Sequence, residues 1–158
     1  MIWAEVLADK SLQDLPYKIE LNGRGQIVMS PASNRHGLYQ TEIAIELKRL
    51  GRHGRVITEC SVQTADGVKV ADAAWMSAAF AKKHGLVTPY RTAPEICVEV
   101  VSPSNTKMEI DERITLYLAK GAQEMWVCDS HGQMSFHDHS GELSKSKVFP
   151  RFPQKIEY

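Results

Sequence analysis

A carboxylate in the middle of an apolar strand must be paired, protonated or bound to a cation, and Glu99 holds that position within Ile96-Cys97-Val98-Glu99-Val100-Val101. Asp72 has a similar setting. It follows Val68-Lys69-Val70-Ala71 and precedes Ala73-Ala74-Trp75, so it reads as a strand residue. Two acidic groups on neighbouring strands repel each other, and a shared divalent cation is a common relief. Separate satisfaction by an arginine or by backbone amides produces the same pattern.

The elements that must position these groups are legible around them. The Glu99 strand ends at Ser102-Pro103-Ser104-Asn105, where proline stops the ladder and small polar residues suit a turn. Thr106-Lys107-Met108-Glu109 then fits a capping box, and the helix it opens runs to about Lys120 with Gly121 as its stop. Ile110, Ile114, Tyr117 and Leu118 form an apolar stripe, and Arg113 lies on it, so the helix carries a cation toward the carboxylate strand. Gln123 to Asp129 reads as the next strand, completing a right-handed strand-helix-strand crossover.

Glu-Val-Val-Ser-Pro-Ser-Asn from Glu99, the pair Arg113 and Tyr117, and Gly121-Ala122-Gln123-Glu124-Met125-Trp126 resemble the Uma-type endonucleases of the PD-(D/E)xK restriction-endonuclease-like superfamily. Upstream, Tyr17-Lys18-Ile19-Glu20-Leu21-Asn22-Gly23, Met29-Ser30-Pro31-Ala32-Ser33, His36 and Val70-Ala71-Asp72 extend the likeness from about Leu15 to Phe136. The motifs are individually loose, but their order and spacing are specific.

The resemblance implies an α/β fold, with a restriction-endonuclease-like core of central mixed β-sheet flanked by helices and an N-terminal hairpin. It implies metal-dependent phosphodiester hydrolysis by a DNA endonuclease. Asp72 takes the place of the acidic residue in the proline-aspartate pair, Ala71 standing where the proline would be, and Glu99 is the second acid. With the Val100 backbone carbonyl they would hold Mg²⁺, or Mn²⁺ as a substitute. Arg113 occupies the place of the usual lysine and would contact the phosphate. Glu20 matches a recurrent hairpin glutamate, which would hold a water or a second ion, and His36 a recurrent histidine at the start of the long helix, which would touch a flanking phosphate or orient Glu20. Lys107 is the nearest other cation for the phosphate. Arginine and lysine are not interchangeable, so a nuclease-fold module of weak or no activity, binding nucleic acid or a protein partner, is the alternative reading.

Composition fits one domain, residues 1–158, of ordinary soluble type with cytoplasmic location expected. No apolar stretch is long enough to span a bilayer, so no membrane association is expected. The chain carries 19 basic and 19 acidic residues, whereas an extensive phosphate-binding surface would favour a basic excess. The partner implied is nevertheless nucleic acid, DNA first, and the two-fold symmetry of duplex DNA together with the resemblance predicts a homodimer. Lys48 to Arg55 forms a basic cluster that a helix C-terminus explains by its dipole. Cys60, Cys97 and Cys128 are scattered, odd in number and read as buried thiols. Cys128, His131, His137 and His139 hint at zinc, but their spacings fit no standard finger.

The remaining elements follow from period and turn chemistry. A short helix from Trp3 to Ala8 precedes a hairpin of Lys18 to Leu21 and Gln26 to Met29, turned at Asn22-Gly23-Arg24-Gly25. A long helix covers Asn34 to Leu50, and strands cover Val56 to Gln63 and Val68 to Trp75. Ala78 to Lys83 is a short helix, and strands at Met134 to His137 and Ser144 to Phe149 finish the sheet.

Overall fold

The computed structural model describes residues 1–157. Helix α1 (Trp3–Ala8) and a 3-10 turn lead into the hairpin β1 (Tyr17–Leu21) and β2 (Ile27–Pro31), followed by the long helix α2 (Asn34–Leu50). Strands β3 (Arg55–Thr64) and β4 (Gly67–Met76), the short helix α3 (Ala78–His84) and strand β5 (Ile96–Val100) come next. Helix α4 (Lys107–Ala119) crosses to β6 (Glu124–Cys128), and β7 (Met134–Asp138) and β8 (Gly141–Leu143) end the sheet.

The order across the sheet is β3-β4-β5-β6-β7-β8. Only β5 and β6 pair in parallel, because α4 returns the chain to the starting end, whereas the other neighbours are antiparallel. The parallel pair is buried along its whole length, as the continuous apolar runs require. Alternation along β5 separates two cores. Ile96, Val98 and Val100 pack with Tyr39, Ile43 and Leu47 of α2, while Cys97 packs with Tyr117 and Leu118 of α4. This mixed sheet, flanked by helices and preceded by the hairpin, is the expected fold class. No helix of the described residues is long and apolar enough to cross a membrane.

Local signals account for the element ends. The Thr106 hydroxyl accepts the Glu109 amide at 3.2 Å while Glu109 Oε2 accepts the Thr106 amide at 3.2 Å, which completes the capping box of α4. Ser33 caps α2 by accepting the His36 amide at 3.1 Å, which places His36 in the first turn. The hairpin turns through Asn22, whose Oδ1 accepts the amides of Arg24 and Gln26, both at 3.0 Å. It docks on the β3-β4 turn at Gly67, where φ is 76° and a Cβ would clash with the Leu21 carbonyl. The Gly23 amide also donates to Asp66 at 2.9 Å.

One predicted element is absent. Residues 144–149 form no strand; the last strand is Gly141–Leu143, turned tightly from β7 with Asp138 opposite Gly141. The cause is Glu124 at the start of β6. Its Oε2 accepts the Lys147 and Val148 amides at 2.9 and 3.0 Å and the Ser146 hydroxyl at 3.2 Å, so those donors serve a carboxylate instead of a ladder. The three cysteines are buried and free, as expected. The described residues contain no group of three or more histidine, cysteine, aspartate or glutamate side chains arranged to hold a metal, which disposes of the zinc cluster around Cys128.

Candidate active site

Strands β4 and β5 pair only from Trp75↔Ile96 to Ala73↔Val98. One step further the same register would set Asp72 opposite Glu99, but there the strands separate. The fork leaves ladder donors without strand partners, and carboxylates serve them: Asp72 Oδ2 accepts the Val100 amide at 2.7 Å, and Glu20 Oε2 accepts the Val70 amide at 2.7 Å. On the other side of Asp72, pairing with β3 lapses at Glu59, whose φ is 55°. Asp72 therefore sits where regular pairing fails on both sides, and Asp72, Glu99 and Glu20 are all buried.

Two cations and a histidine answer these charges. Lys18, on β1 two residues before Glu20, places Nζ 3.2 Å from Asp72 Oδ1 and 3.0 Å from Glu99 Oε2. Arg113, delivered by the α4 stripe, grips Glu20 with both terminal nitrogens at 2.6 and 2.8 Å, and its Nη1 reaches Glu99 Oε1 at 3.2 Å. Tyr117, one turn further along α4, donates its hydroxyl to Glu99 Oε1 at 2.9 Å. His36 Nε2 lies 3.2 Å from Asp72 Oδ2. The cluster opens on a small cavity of about 30 Å³, lined by Lys18, His36, Glu99, Val100, Ser102 and Arg113. That is room for about one water.

The environment separates the two central carboxyls. Complete burial dominates at Glu99 and pushes its pKa up to about 7, with Lys18 and Arg113 opposing the rise and Asp72 adding to it. Burial would raise Asp72 too, but Lys18, the His36 contact and the Val100 amide outweigh it and hold the group at about 2. The hydrogen bond to Asp72 raises His36 above its ordinary value despite partial burial. Lys18 loses by desolvation and gains more from Glu99 and Asp72, so its ammonium stays protonated.

Asp72, Glu99, Arg113, Glu20 and His36 thus meet as the sequence predicts, and the Val100 backbone lies beside them. Lys107 does not join them. Its side chain is 90% exposed and pairs with Asp111 at 2.9 Å, one turn along the same helix. Arg113, expected to face a phosphate, has its planar fork committed to Glu20. The cation that touches both Asp72 and Glu99 is Lys18, which stands out in the sequence only as part of the hairpin motif. Its signal was alternation: Lys18 and Glu20 share one face of β1.

Asp72 Oδ1 and Glu99 Oε2 converge on a single point, and two such oxygens suit Mg²⁺, which is commonly held by one or two carboxylates with waters and substrate phosphate. The donor set fits a hard divalent ion, with the Lys18 ammonium as its competitor for that point.

A model of the Uma2 family, described as "Putative restriction endonuclease", matches residues 9–154. A solved structure described as "a putative nuclease belonging to DUF820", from Anabaena variabilis, superimposes with a TM-score of 0.65 at 16% identity. The match covers 85% of this chain and 73% of that one, and at this identity it establishes the fold. No curated protein matches the chain. With the family match covering nearly its whole length, the chain belongs to the Uma2 family.

Proposed function

We propose that this protein is a metal-dependent nuclease that hydrolyses phosphodiester bonds, with DNA as substrate, and that it works as a homodimer. The observation carrying this reading is the convergence of two buried carboxylate oxygens, from Asp72 and Glu99, on one cationic point at the fork of the sheet. Asp72, Glu99 and the Val100 carbonyl would hold Mg²⁺ or Mn²⁺, which when bound supplies a water of lowered pKa and offsets charge on the scissile phosphate.

The chain's own residues divide the remaining work. Glu99, poised near neutrality, changes charge as a cation enters or leaves, while Asp72 stays ionised. The protonated Lys18 Nζ neutralises the pair and, lining the cavity, donates to a phosphate oxygen or to the attacking water. Neither Lys18 nor Arg113 is deprotonated near neutral pH, so neither serves as general base. Arg113 and Tyr117 orient Glu20 and Glu99 as positioning residues. His36 faces both Asp72 and the cavity, and there it contacts a flanking phosphate.

Nicking of supercoiled plasmid tests the reading. Wild type should nick with Mg²⁺ or Mn²⁺ and not with EDTA, and Asp72→Asn and Glu99→Gln should lose the activity. Cleavage that persists in EDTA or in both variants would overturn it. Lys18 bridging both acids favours a second reading, a nuclease-fold binding module in which an internal ammonium has replaced the metal. DNA binding with no cleavage by wild type would support that reading.

A further inference from the structure

Next to the small cavity at the carboxylates lies a much larger one of about 420 Å³, within the size range of small-molecule sites. The two are neighbours, since His36 and Val100 line both. The walls of the larger cavity are Tyr39, Val100, Val101 and Pro103, and polar groups from Asn34, Arg35 and Ser130 stand around them. Arg35, Tyr39 and Ser130 in turn border a polar depression that carries His131, Lys155 and Glu157. From the carboxylates outward, the surface is therefore ionic, then apolar, then polar again.

We propose that the middle cavity binds the base of an unpaired nucleotide adjoining the scissile phosphate, so that the substrate is single-stranded or locally opened nucleic acid. This rests on the nuclease reading above. A phosphate does not suit apolar walls, whereas a base offers two apolar faces and a polar edge that Arg35, Asn34 and Ser130 can meet. A base within a duplex is stacked and paired, so it enters such a cavity only from a single strand or after being turned out of the helix. The neutral charge balance points the same way. With 19 basic and 19 acidic residues the chain has no electrostatic excess to hold a duplex by its phosphates, and base contacts must supply a larger share of the affinity.

Fluorescence anisotropy in EDTA separates the possibilities. The probes are a labelled thymidylate strand of about eight nucleotides, a fully abasic strand of the same length, and a blunt duplex. The thymidylate strand should bind wild type about fivefold to a hundredfold more tightly than the abasic strand, and more tightly than the duplex. Ser130→Leu, which fills the cavity from its half-buried rim, should remove the thymidylate advantage and leave abasic binding unchanged. Asn34→Leu, at an exposed rim position, provides the same test if the first variant does not fold. Equal binding of thymidylate and abasic strands, a duplex bound as tightly as the single strand, or an advantage that survives both substitutions would overturn the base cavity and leave the nuclease reading intact. Failure of all three probes to bind would overturn the base cavity, while plasmid nicking in Mg²⁺ decides the nuclease reading separately.

Discussion

The molecule buries carboxylates at two places, and it treats them oppositely. Glu124 is met by uncharged donors: Trp126 Nε1 at 2.8 Å on one oxygen, and the Ser146 hydroxyl with the Lys147 and Val148 amides on the other. It ties the C-terminal segment to the sheet. At the fork, three carboxylates crowd against two cations and a histidine, beside a cavity. Neutral, directional donors satisfy a single charge and fix a segment in place. Mutually repelling charges held by cationic side chains store an imbalance that an arriving ion or phosphate can relieve. Burial alone therefore does not identify a functional acid; the chemistry of its partners does.

Breaking the Glu124 site should have the largest effect on stability. Glu124→Ala leaves two amides, an indole N–H and a hydroxyl without their acceptor, at a cost of about 4 kcal/mol. Thermal unfolding should shift down by roughly 10 °C. A shift of only a degree or two would show that water replaces the carboxylate and would erase the contrast. The fork should respond in the other way. Asp72→Asn and Glu99→Gln should lower metal-dependent cleavage by about a hundredfold to a thousandfold, equivalent to about 3–4 kcal/mol in the barrier. Their unfolding free energy should stay within about 1 kcal/mol of wild type at pH 8, because each removes a charge from a crowded site. A variant that loses activity only in proportion to lost folded protein would place the fork with Glu124 as a structural device.

The pH dependence sharpens the comparison further. The Glu99 pKa rises from 4.5 in the unfolded chain to about 7 in the folded protein. The folded state thus binds the proton more tightly, and this stabilisation is complete below pH 4.5 and lost as pH rises through 7. His36, also raised, adds a loss of the same sign above its ordinary 6.5. Asp72, lowered from 3.8 to about 2, contributes stability above 3.8 that disappears as pH falls through 2. The metal-free protein should therefore be most stable near pH 4–5 and lose about 2 kcal/mol between pH 5 and 8. Denaturant melts across that range should flatten in Glu99→Gln. A slope unchanged by that substitution would show that Glu99 does not titrate there.

The smallest effects distinguish the lysines. Lys18→Met removes the competitor for the carboxylate point, so Mg²⁺ should raise its melting temperature a few degrees more than it raises that of wild type. Lys107→Met breaks only an exposed pair, worth about 0.3–0.5 kcal/mol, and should leave the metal response untouched. An equal metal response in Lys18→Met and wild type would remove Lys18 from the site.

Much of this architecture is written locally. The capping box of Thr106 and Glu109, the apolar stripe of α4 and the buried run around Glu99 are short-range patterns, and they sufficed to place Arg113 near the carboxylate strand. The strap after β8 has the local pattern of a strand but forms none, because its amides answer Glu124, a partner some 22 residues away in sequence that no local period reveals. The alternation of β1 put Lys18 and Glu20 on one face, but a hairpin face shows its charges to solvent until something covers it. Only docking at Gly67 and Asp66 turned that face toward the fork. Sequence alone determined the helices, the strands up to β7 and that two acids are buried, because period, caps and turns act over a few residues. The tertiary structure decided which cation stands between those acids, because side chains 54 and 81 positions apart share a point only when the sheet and hairpin close on each other.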